Sequence, residues 1–208
     1  MDYPEVKKRK NKYDKIARSY DAVIDRLIPN DWREKATRYA YGNVLEVGVG
    51  TGLNLPFYTD SCLNILGIDV SFGMLELAKE KANLSKIPVE LKEMDIQNTS
   101  LESCTFDSVL SSFVLCTVPD SERGLSECQR ILKPGGRLIL LEHMSSRKPL
   151  LKYLMNFFNP LTVMLLGDHI TRETNILVTK TGFIIREEIN LLSDVVRLIV
   201  AEKPALSE

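Results

Sequence analysis

The chain has few of the residues that mark metal centres, disulfide frameworks and membrane spans. Its 208 residues include four widely spaced cysteines without a Cys-x-x-Cys pair, and only two histidines, His143 and His169. We therefore expect neither a metal site nor a disulfide framework. There is no clean run of twenty apolar residues, and the N-terminus lacks the apolar stretch of a signal peptide. These absences predict a cytoplasmic protein.

The chain also lacks an excess of charge of either sign. Its 27 Lys and Arg residues nearly balance 28 Asp and Glu residues, for a net charge of −1. Because a general nucleic-acid-binding surface needs a basic excess, we expect no nucleic-acid partner. With 44% apolar residues, 208 residues can build one well-buried core but not two large domains. We predict a single domain over residues 1–208.

An apolar strand runs into a glycine loop early in this domain. Residues 44–52 read Val-Leu-Glu-Val-Gly-Val-Gly-Thr-Gly, and Asp69 closes a second apolar run seventeen residues later. Glycines let the backbone approach a ligand closely, and the N-terminus of a following helix offers free N–H groups. An acidic residue at the end of the next strand can accept both hydroxyls of a ribose. The pattern predicts a bound adenosyl cofactor.

The loop departs from the dinucleotide fingerprint Gly-x-Gly-x-x-Gly, because the sixth position counted from Gly48 is Leu53. Glu46, at the strand end, would repel a pyrophosphate but suits a ligand with an amino group and a sulfonium. The motif Glu-x-Gly-x-Gly-x-Gly with the spaced Asp69 resembles the class I S-adenosylmethionine (SAM) methyltransferases, over about residues 13–203. The resemblance implies SAM as cofactor; a dinucleotide site and a ligand-free tight turn are the alternatives.

Alternating apolar runs and helical patterns predict an α/β fold with a doubly wound sheet. We expect strands near 44–48, 64–69, 88–94, 106–111 and 136–142, and extended segments at 183–190 and 194–202. The fold class is a Rossmann-like, seven-stranded, mostly parallel sheet with helices on both faces and, by resemblance, an antiparallel C-terminal hairpin. Its parts are an N-terminal amphipathic helical cap (1–42), a SAM-binding core (43–143), an apolar substrate lid (144–182) and C-terminal strands (183–208).

The resemblance extends the site beyond the glycine loop. It implies that Asp95, after the third strand, reads the adenine edge, and that the end of the fourth strand passes the methionine part of SAM. An ordinary loop aspartate and a buried strand terminus are the alternatives, and for Phe113 the alternative is packing. The predicted cofactor-binding residues are Glu46, Gly48, Gly50, Thr51, Gly52, Asn54, Asp69, Val70, Met74, Asp95, Ile96, Ser111, Ser112 and Phe113.

The N-terminal segment has an apolar and a basic face. Apolar residues recur at spacings of three and four from Tyr13 to Leu27, which predicts one face of a helix. Basic residues between 7 and 18 form a cluster that suits peripheral contact with an anionic membrane. The alternative to membrane contact is a solvated helix whose apolar face covers the cofactor pocket, and the two interpretations are compatible.

Residues 13–21 resemble the entry segment of one branch of the class I methyltransferases. The resemblance implies that Tyr20 could close over SAM and the acceptor. A tyrosine packed in the core is the competing interpretation.

Residues 150–166 are unusually apolar, but Lys152, Asn156, Asn159 and Pro160 argue against a membrane span. The resemblance implies a substrate lid here, with methionine and phenylalanine suited to an adaptable apolar pocket or a shallow contact with a membrane. Simple core packing of a lid helix is the alternative.

The branch that the chain resembles includes quinone C-methyltransferases, bacterial phospholipid N-methyltransferases and membrane-associated thiol methyltransferases. The Arg-Asn-Val element of the quinone enzymes is replaced by residues 113–120, closer to the other two groups. We therefore expect methyl transfer to the nitrogen or sulfur of a small-molecule or lipid acceptor, with His143 as the candidate general base and Tyr20 as a second candidate catalytic residue. The alternatives are carbon methylation of a quinone precursor and a SAM-binding regulator without turnover; for His143, the alternative is a rim histidine with no proton-transfer role.

Overall fold

The computed structural model describes residues 4–166 and 171–205, which contain six α-helices and seven strands. The helices are α1 (Pro4–Leu27), α2 (Asn30–Thr37), α3 (Phe72–Leu84), α4 (Ser121–Ile131), α5 (Pro149–Leu166) and α6 (Thr174–Lys180). The strands are β1 (Gly42–Val47), β2 (Cys62–Asp69), β3 (Val89–Glu93), β4 (Phe106–Ser112), β5 (Leu132–His143), β6 (Ile184–Leu192) and β7 (Val196–Glu202). A short 3₁₀ helix, Leu55–Phe57, follows the glycine loop.

The seven strands form one sheet in the order β3-β2-β1-β4-β5-β7-β6. Strands β1 to β5 are parallel, and β7 is antiparallel to both β5 and β6. The predicted Rossmann-like sheet with an antiparallel C-terminal hairpin is therefore confirmed. The strand order reverses between β1 and β4, and open α/β sheets bind ligands beyond the carboxyl ends of the strands at such a point.

Helices cover both faces of the sheet, so its central strands are buried on both sides. Successive residues alternate between two cores: Leu45 and Val109 pack with α4 and α6, whereas Val44 and Leu110 pack on the opposite face. All four side chains are fully buried. This double burial explains the nearly continuous apolar runs of β1 and β4, because a parallel sheet covered on both faces has no solvent side.

Helices α3 and α4 begin after residues that favour N-caps, Ser71 and Asp120. The Ser71 hydroxyl accepts a hydrogen bond from the backbone N–H of Met74 at 3.1 Å, and the Asp120 carboxylate accepts one from Arg123 at 2.9 Å. These side chains satisfy N–H groups that have no partner inside the helix.

Strand β5 begins earlier than the expected residue 136. Its first residue, Leu132, pairs with Phe106, and the next pair along the strands joins Arg137 to Ser108. Residues 133–136, whose sequence Lys-Pro-Gly-Gly is typical of a turn, are thus a bulge within the strand. The N–H of Gly135 donates to the carbonyl of Lys203 at 2.8 Å, so the bulge is also tied to the end of β7.

No helix in residues 4–166 and 171–205 has the length and apolar character needed to cross a membrane. In the same residues, no group of three or more His, Cys, Asp and Glu side chains is arranged to hold a metal ion.

Candidate functional site

The glycine loop leaves β1 with left-handed backbone conformations. Gly48 has a φ of 63° and Gly50 a φ of 54°, angles that L-residues other than glycine rarely adopt. A Cβ at Gly48 would lie 2.4 Å from the Val114 side chain, so the loop packs tightly against the segment after β4. A Cβ at Gly50 would meet only the carbonyl of Gly48, at 3.9 Å, because this residue faces an open pocket. The loop therefore brings bare backbone to the pocket wall.

Asp69 joins this loop to the end of β2. Its Oδ2 accepts the N–H of Gly50 at 3.0 Å, and its Oδ1 accepts the N–H of Ser71 at 2.8 Å. Burial raises the pKa of Asp69 to about 6, although the N–H groups of Ser71 and Gly50 act in the opposite direction. The carboxylate lines the pocket, where its remaining lone pairs can accept hydroxyl groups of a ligand.

The pocket wall continues at the end of β3. Asp95 is buried, and its Oδ1 accepts the backbone N–H of Gln97 at 2.9 Å. The Gln97 amide also donates to both Asp95 oxygens at 3.0 Å and accepts the N–H of Asp120 at 2.9 Å. Gln97 thus fixes the Asp95 carboxylate relative to the start of α4. Gln97 is not among the residues predicted from the sequence, although its position two residues after Asp95 is the usual spacing of an Asx turn.

The pocket is an open cleft with about 760 Å³ of empty space, including the part open to solvent. Its lining combines the carboxylates of Asp69 and Asp95 with the apolar side chains of Met74, Met94 and Ile96. No Lys or Arg side chain lines it in the part of the chain that the structure describes. The field in the pocket therefore favours a cationic ligand and disfavours a pyrophosphate.

Glu46 lies in β1, two residues before the glycine loop, and outside the lining of this pocket. Its Oε1 accepts the Asn54 amide at 2.9 Å, and its Oε2 accepts the Tyr58 hydroxyl at 2.9 Å. Burial raises the pKa of Glu46 to about 7, while the hydrogen bonds from Tyr58 and Asn54 and the charge of Arg33 oppose the rise. In this structure Glu46 ties β1 to Asn54 and Tyr58, which follow the glycine loop, and its contact with a ligand amino group stays a prediction.

The amide of Asn54 also donates to the Ser112 hydroxyl at 3.1 Å, and its oxygen accepts from Arg33 at 3.1 Å. Asn54 therefore connects Glu46 to the carboxyl end of β4. Its side chain is buried behind the pocket wall, so the structure gives it a supporting position.

The side chains at the end of β4 point in different directions, some into the pocket and some away from it. Ser111 faces away from the pocket and donates to Oε1 of the buried Glu142 at 3.3 Å. Ser112 and Phe113 line the pocket, and Phe113 has a φ of 57°, which turns the chain sharply after the strand. The His143 ring lies against Phe113, with 4.8 Å between the ring centroids. His143 is thus one aromatic ring away from the pocket.

Helix α1 covers the pocket through Val6 and Tyr13. Two carboxylates attach it to the core. Asp14 accepts the Ser71 hydroxyl at 2.6 Å and the Gly73 N–H at 2.8 Å, so it caps α3 from another helix. Asp21 accepts the Thr51 hydroxyl and pairs with Lys81 at 2.9 Å. Val6 and Tyr13 thus place α1 against the pocket, while Lys7, Lys8 and Lys15 of the same helix are exposed to solvent.

The structure divides the predicted cofactor residues into two groups. Those that line the pocket are Gly48, Gly50, Asp69, Val70, Met74, Asp95, Ile96, Ser112 and Phe113. Those outside the lining are Glu46, Thr51, Gly52, Asn54 and Ser111. Of the two predicted catalytic residues, His143 lies behind Phe113, and Tyr20 lies in α1 with a side chain outside the described residues. His169 also lies outside the described residues.

The pocket fits SAM in its chemistry. Gly50 presents an open face that a Cβ would fill, Asp69 can accept ribose hydroxyls, and apolar side chains can enclose an adenine. The absence of basic lining residues among those described suits a sulfonium. The fold and the site define an α/β protein that binds an adenosyl cofactor at the carboxyl edge of its sheet.

Comparison with known proteins gives the family. The model of the methyltransferase domain matches residues 45–140. The chain is 41% identical over 109 residues to a phosphatidylethanolamine N-methyltransferase of Cereibacter sphaeroides, covering 51% of this chain and 53% of that protein. It is 35% identical over 158 residues to the ubiquinone/menaquinone biosynthesis C-methyltransferase UbiE of Geotalea daltonii, covering 70% of this chain and 67% of that protein.

A solved structure, the SAM-dependent methyltransferase of Aquifex aeolicus, has a TM-score of 0.65 and 20% identity, and covers 91% of this chain and 97% of its own. This likeness shows the fold. From the sequence relatives, the chain belongs to the SAM-dependent methyltransferases, as the sequence analysis predicts, and SAM is its cofactor. The chain spans about half the length of the phosphatidylethanolamine N-methyltransferase that it matches.

The attachment of α1 predicts how firmly the cofactor is held. Replacing Asp14 with asparagine removes a charged acceptor from the N-terminus of α3, a change that costs about 1 kcal/mol at helix caps. We expect SAM to dissociate about fivefold faster from Asp14→Asn, because α1 opens more often. Stopped-flow displacement of SAM measures this rate, and Asp31→Asn, an exposed site on α2, is the control. Equal rates in the two variants would show that Asp14 does not hold the cover.

Proposed function

We propose that this methyltransferase acts on the nitrogen or sulfur of an apolar or amphipathic small molecule, with phospholipid head groups and hydrophobic thiols as the leading classes. The observation that carries the proposal is the Phe113–His143 ring pair, in which Phe113 lines the cofactor pocket and His143 lies directly against it. Amine and thiol acceptors must lose a proton, and histidine is the side chain whose ordinary titration range suits that task.

SAM supplies an electrophilic methyl group on a sulfonium. The chain has to hold the acceptor in line with that group and to exclude water, and positioning alone can lower a barrier by several kcal/mol. In this proposal Asp69 orients the cofactor, Phe113 and the α1 cover form the dry boundary, and the His143 imidazole takes the acceptor proton.

The two sequence relatives support different acceptors. The phosphatidylethanolamine enzyme, by its name, methylates nitrogen, and the UbiE protein, by its name, methylates carbon. Carbon methylation of a quinone precursor is therefore the second candidate. We favour nitrogen or sulfur because a proton acceptor lies next to the pocket rim.

We further propose that the protein works in the cytoplasm and touches anionic membranes through residues 7–18. Lys7, Lys8 and Lys15 are exposed on α1, whereas Lys10 is paired with Glu93. Each exposed lysine near an anionic surface contributes about 1 kcal/mol at low salt.

The test measures S-adenosylhomocysteine release from SAM with three acceptors: phosphatidylethanolamine in mixed micelles, an apolar alkyl thiol and a demethylated quinone. We expect turnover with the amine or the thiol, and we expect His143→Asn to lower kcat while the Kd for SAM is unchanged. Turnover with the quinone alone would support the second candidate. SAM binding without release of product from any acceptor would support a regulator instead.

A further inference from the structure

Helix α5 has its large apolar side chains on the outside of the molecule. They recur at spacings of three and four, so they form one stripe along one face of the helix. The stripe consists of Leu150, Tyr153, Leu154, Phe157 and Phe158, which are exposed by 75%, 68%, 44%, 69% and 50%. On the other side of α5, Met155 is buried. The helix therefore packs on the core through part of its surface, and a second apolar face is exposed in the part of the chain that the structure describes.

This concentration of apolar surface is particular to α5. The described part of the chain has eleven exposed large apolar side chains, and five of them lie within residues 150–158. The other six are distributed over β2, α3, α6 and β6. Single exposed apolar residues are normal in soluble proteins, whereas a contiguous patch marks a contact surface.

The charges around the stripe suit an anionic lipid surface. Helix α5 contains no acidic residue, and Arg147, Lys148 and Lys152 lie exposed at or just before its start. Arg147 pairs with Glu188 and Lys152 with Glu173, but Lys148 donates to the neutral hydroxyl of Ser193 and keeps its charge uncompensated by that contact. Tyrosine and phenylalanine beside lysine are the composition of helices that lie in the interfacial layer of a bilayer.

The polar residues within the stripe and its small size favour a bilayer over a second copy of the chain as its partner. Lys152 and Asn156 are exposed between the apolar residues, so the helix can enter the interfacial layer but not the hydrocarbon core. A stable dimer typically uses about 20–30 residues on each side, far more than five side chains of one helix. Helix α5 also begins six residues after His143, which ends β5 at the carboxyl edge of the parallel strands.

We propose that the α5 stripe docks on the surface of an anionic lipid bilayer, with Tyr153, Phe157 and Phe158 inserted among the head groups. This contact is separate from the basic face of α1, and it does not depend on which acceptor is methylated. The two contacts differ in kind: salt screens the contribution of the lysines, whereas the insertion of aromatic rings persists at high salt.

The test is flotation of the full chain with phosphatidylglycerol/phosphatidylcholine vesicles at low and high salt. We expect Tyr153→Ser combined with Phe157→Ser to lower the partition coefficient about tenfold at both salt concentrations. Leu63→Ser combined with Leu84→Ser, which changes two exposed apolar residues of other elements, is the matched control and floats like the parent. Unchanged melting temperatures establish that the variants fold. Equal flotation of the parent and the α5 variant would overturn the proposal.

A fluorescence measurement locates the contact. The single tryptophan, Trp32, is replaced by phenylalanine, and Phe157→Trp then reports on the stripe. Insertion predicts a blue shift of the emission on vesicle addition, with no shift for Leu84→Trp in the same background. A parent that is dimeric in light scattering, becomes monomeric on Tyr153→Ser with Phe157→Ser, and shows no vesicle-induced shift would assign the stripe to a second copy and overturn the lipid assignment.

Discussion

Asp69→Asn weakens SAM binding about 100-fold and leaves the fold intact. Both oxygens of Asp69 already accept a backbone N–H, Oδ2 from Gly50 and Oδ1 from Ser71. The amide of asparagine must therefore direct its NH₂ group against one of these N–H donors, and it also loses the charge that attracts ribose hydroxyls. Hydrogen bonds to a charged group contribute about 1.5–3 kcal/mol, and 1.4 kcal/mol corresponds to a factor of ten in affinity.

Isothermal titration with SAM measures the change in Kd, and thermal unfolding without ligand checks the fold. Asp60→Asn is the matched control, because Asp60 is exposed in the loop before β2 and lies outside the pocket lining. We expect the control to bind SAM like the parent. A Kd of Asp69→Asn within twofold of the parent value, with the fold retained, would mean that the cofactor does not use this carboxylate.

The elements that the sequence predicts well are those governed by local rules. Apolar runs buried on both faces identify the parallel strands, and Ser71 and Asp120 identify helix starts because a cap is a contact between near neighbours in sequence. The Gly48–Gly52 loop with Asp69 gives the cofactor pocket for the same reason, since the first strand, its loop and the second strand follow one another in the chain. The helix expected directly after the loop is wrong, because only the short 3₁₀ helix Leu55–Phe57 stands there.

The sequence could not predict contacts between distant segments. Asp14 caps α3 by accepting from Ser71, which is 57 residues away in the chain, and no sequence pattern in α1 predicts this contact. Glu46 is a clear example at the site: its acidic character suggests a ligand contact, but Asn54 and Tyr58 already occupy both of its oxygens in the fold. The bulge at 133–136 has the residues of a turn, and only the pairing with β4 reveals that it lies within β5.

For helix α5, the sequence could not predict which of its apolar side chains are buried. Its apolar composition fits a lid, a core helix or a membrane contact equally well, because composition does not say which face is covered. Only the folded chain distinguishes the buried Met155 from the exposed Tyr153 and Phe157. Hydrophobic spacing predicts that a face exists, and tertiary structure decides whether that face is inside.

Glu46→Gln removes a large pH dependence of stability. The carboxyl of Glu46 has a pKa of about 7 in the folded chain against an ordinary value of 4.5, chiefly because it is buried. The folded state therefore holds this proton more tightly than the unfolded state. The free energy of unfolding falls as pH rises from about 4.5 to 7, by about 3 kcal/mol from this group, and the loss is complete above pH 7. Glutamine does not titrate, so this part of the slope disappears.

Urea unfolding without SAM, at several pH values from about 5 to 8, measures the difference in slope between the parent and Glu46→Gln. The difference is informative because Asp69, whose pKa is also raised, contributes equally to both proteins. Carboxyls with lowered pKa values, such as Glu127 and Asp107, act at lower pH and leave this window unaffected. Exposed Glu80→Gln should keep the parental slope. If Glu46→Gln also keeps it, Glu46 is ionised throughout this range, and the hydrogen bonds from Tyr58 and Asn54 outweigh the cost of its burial.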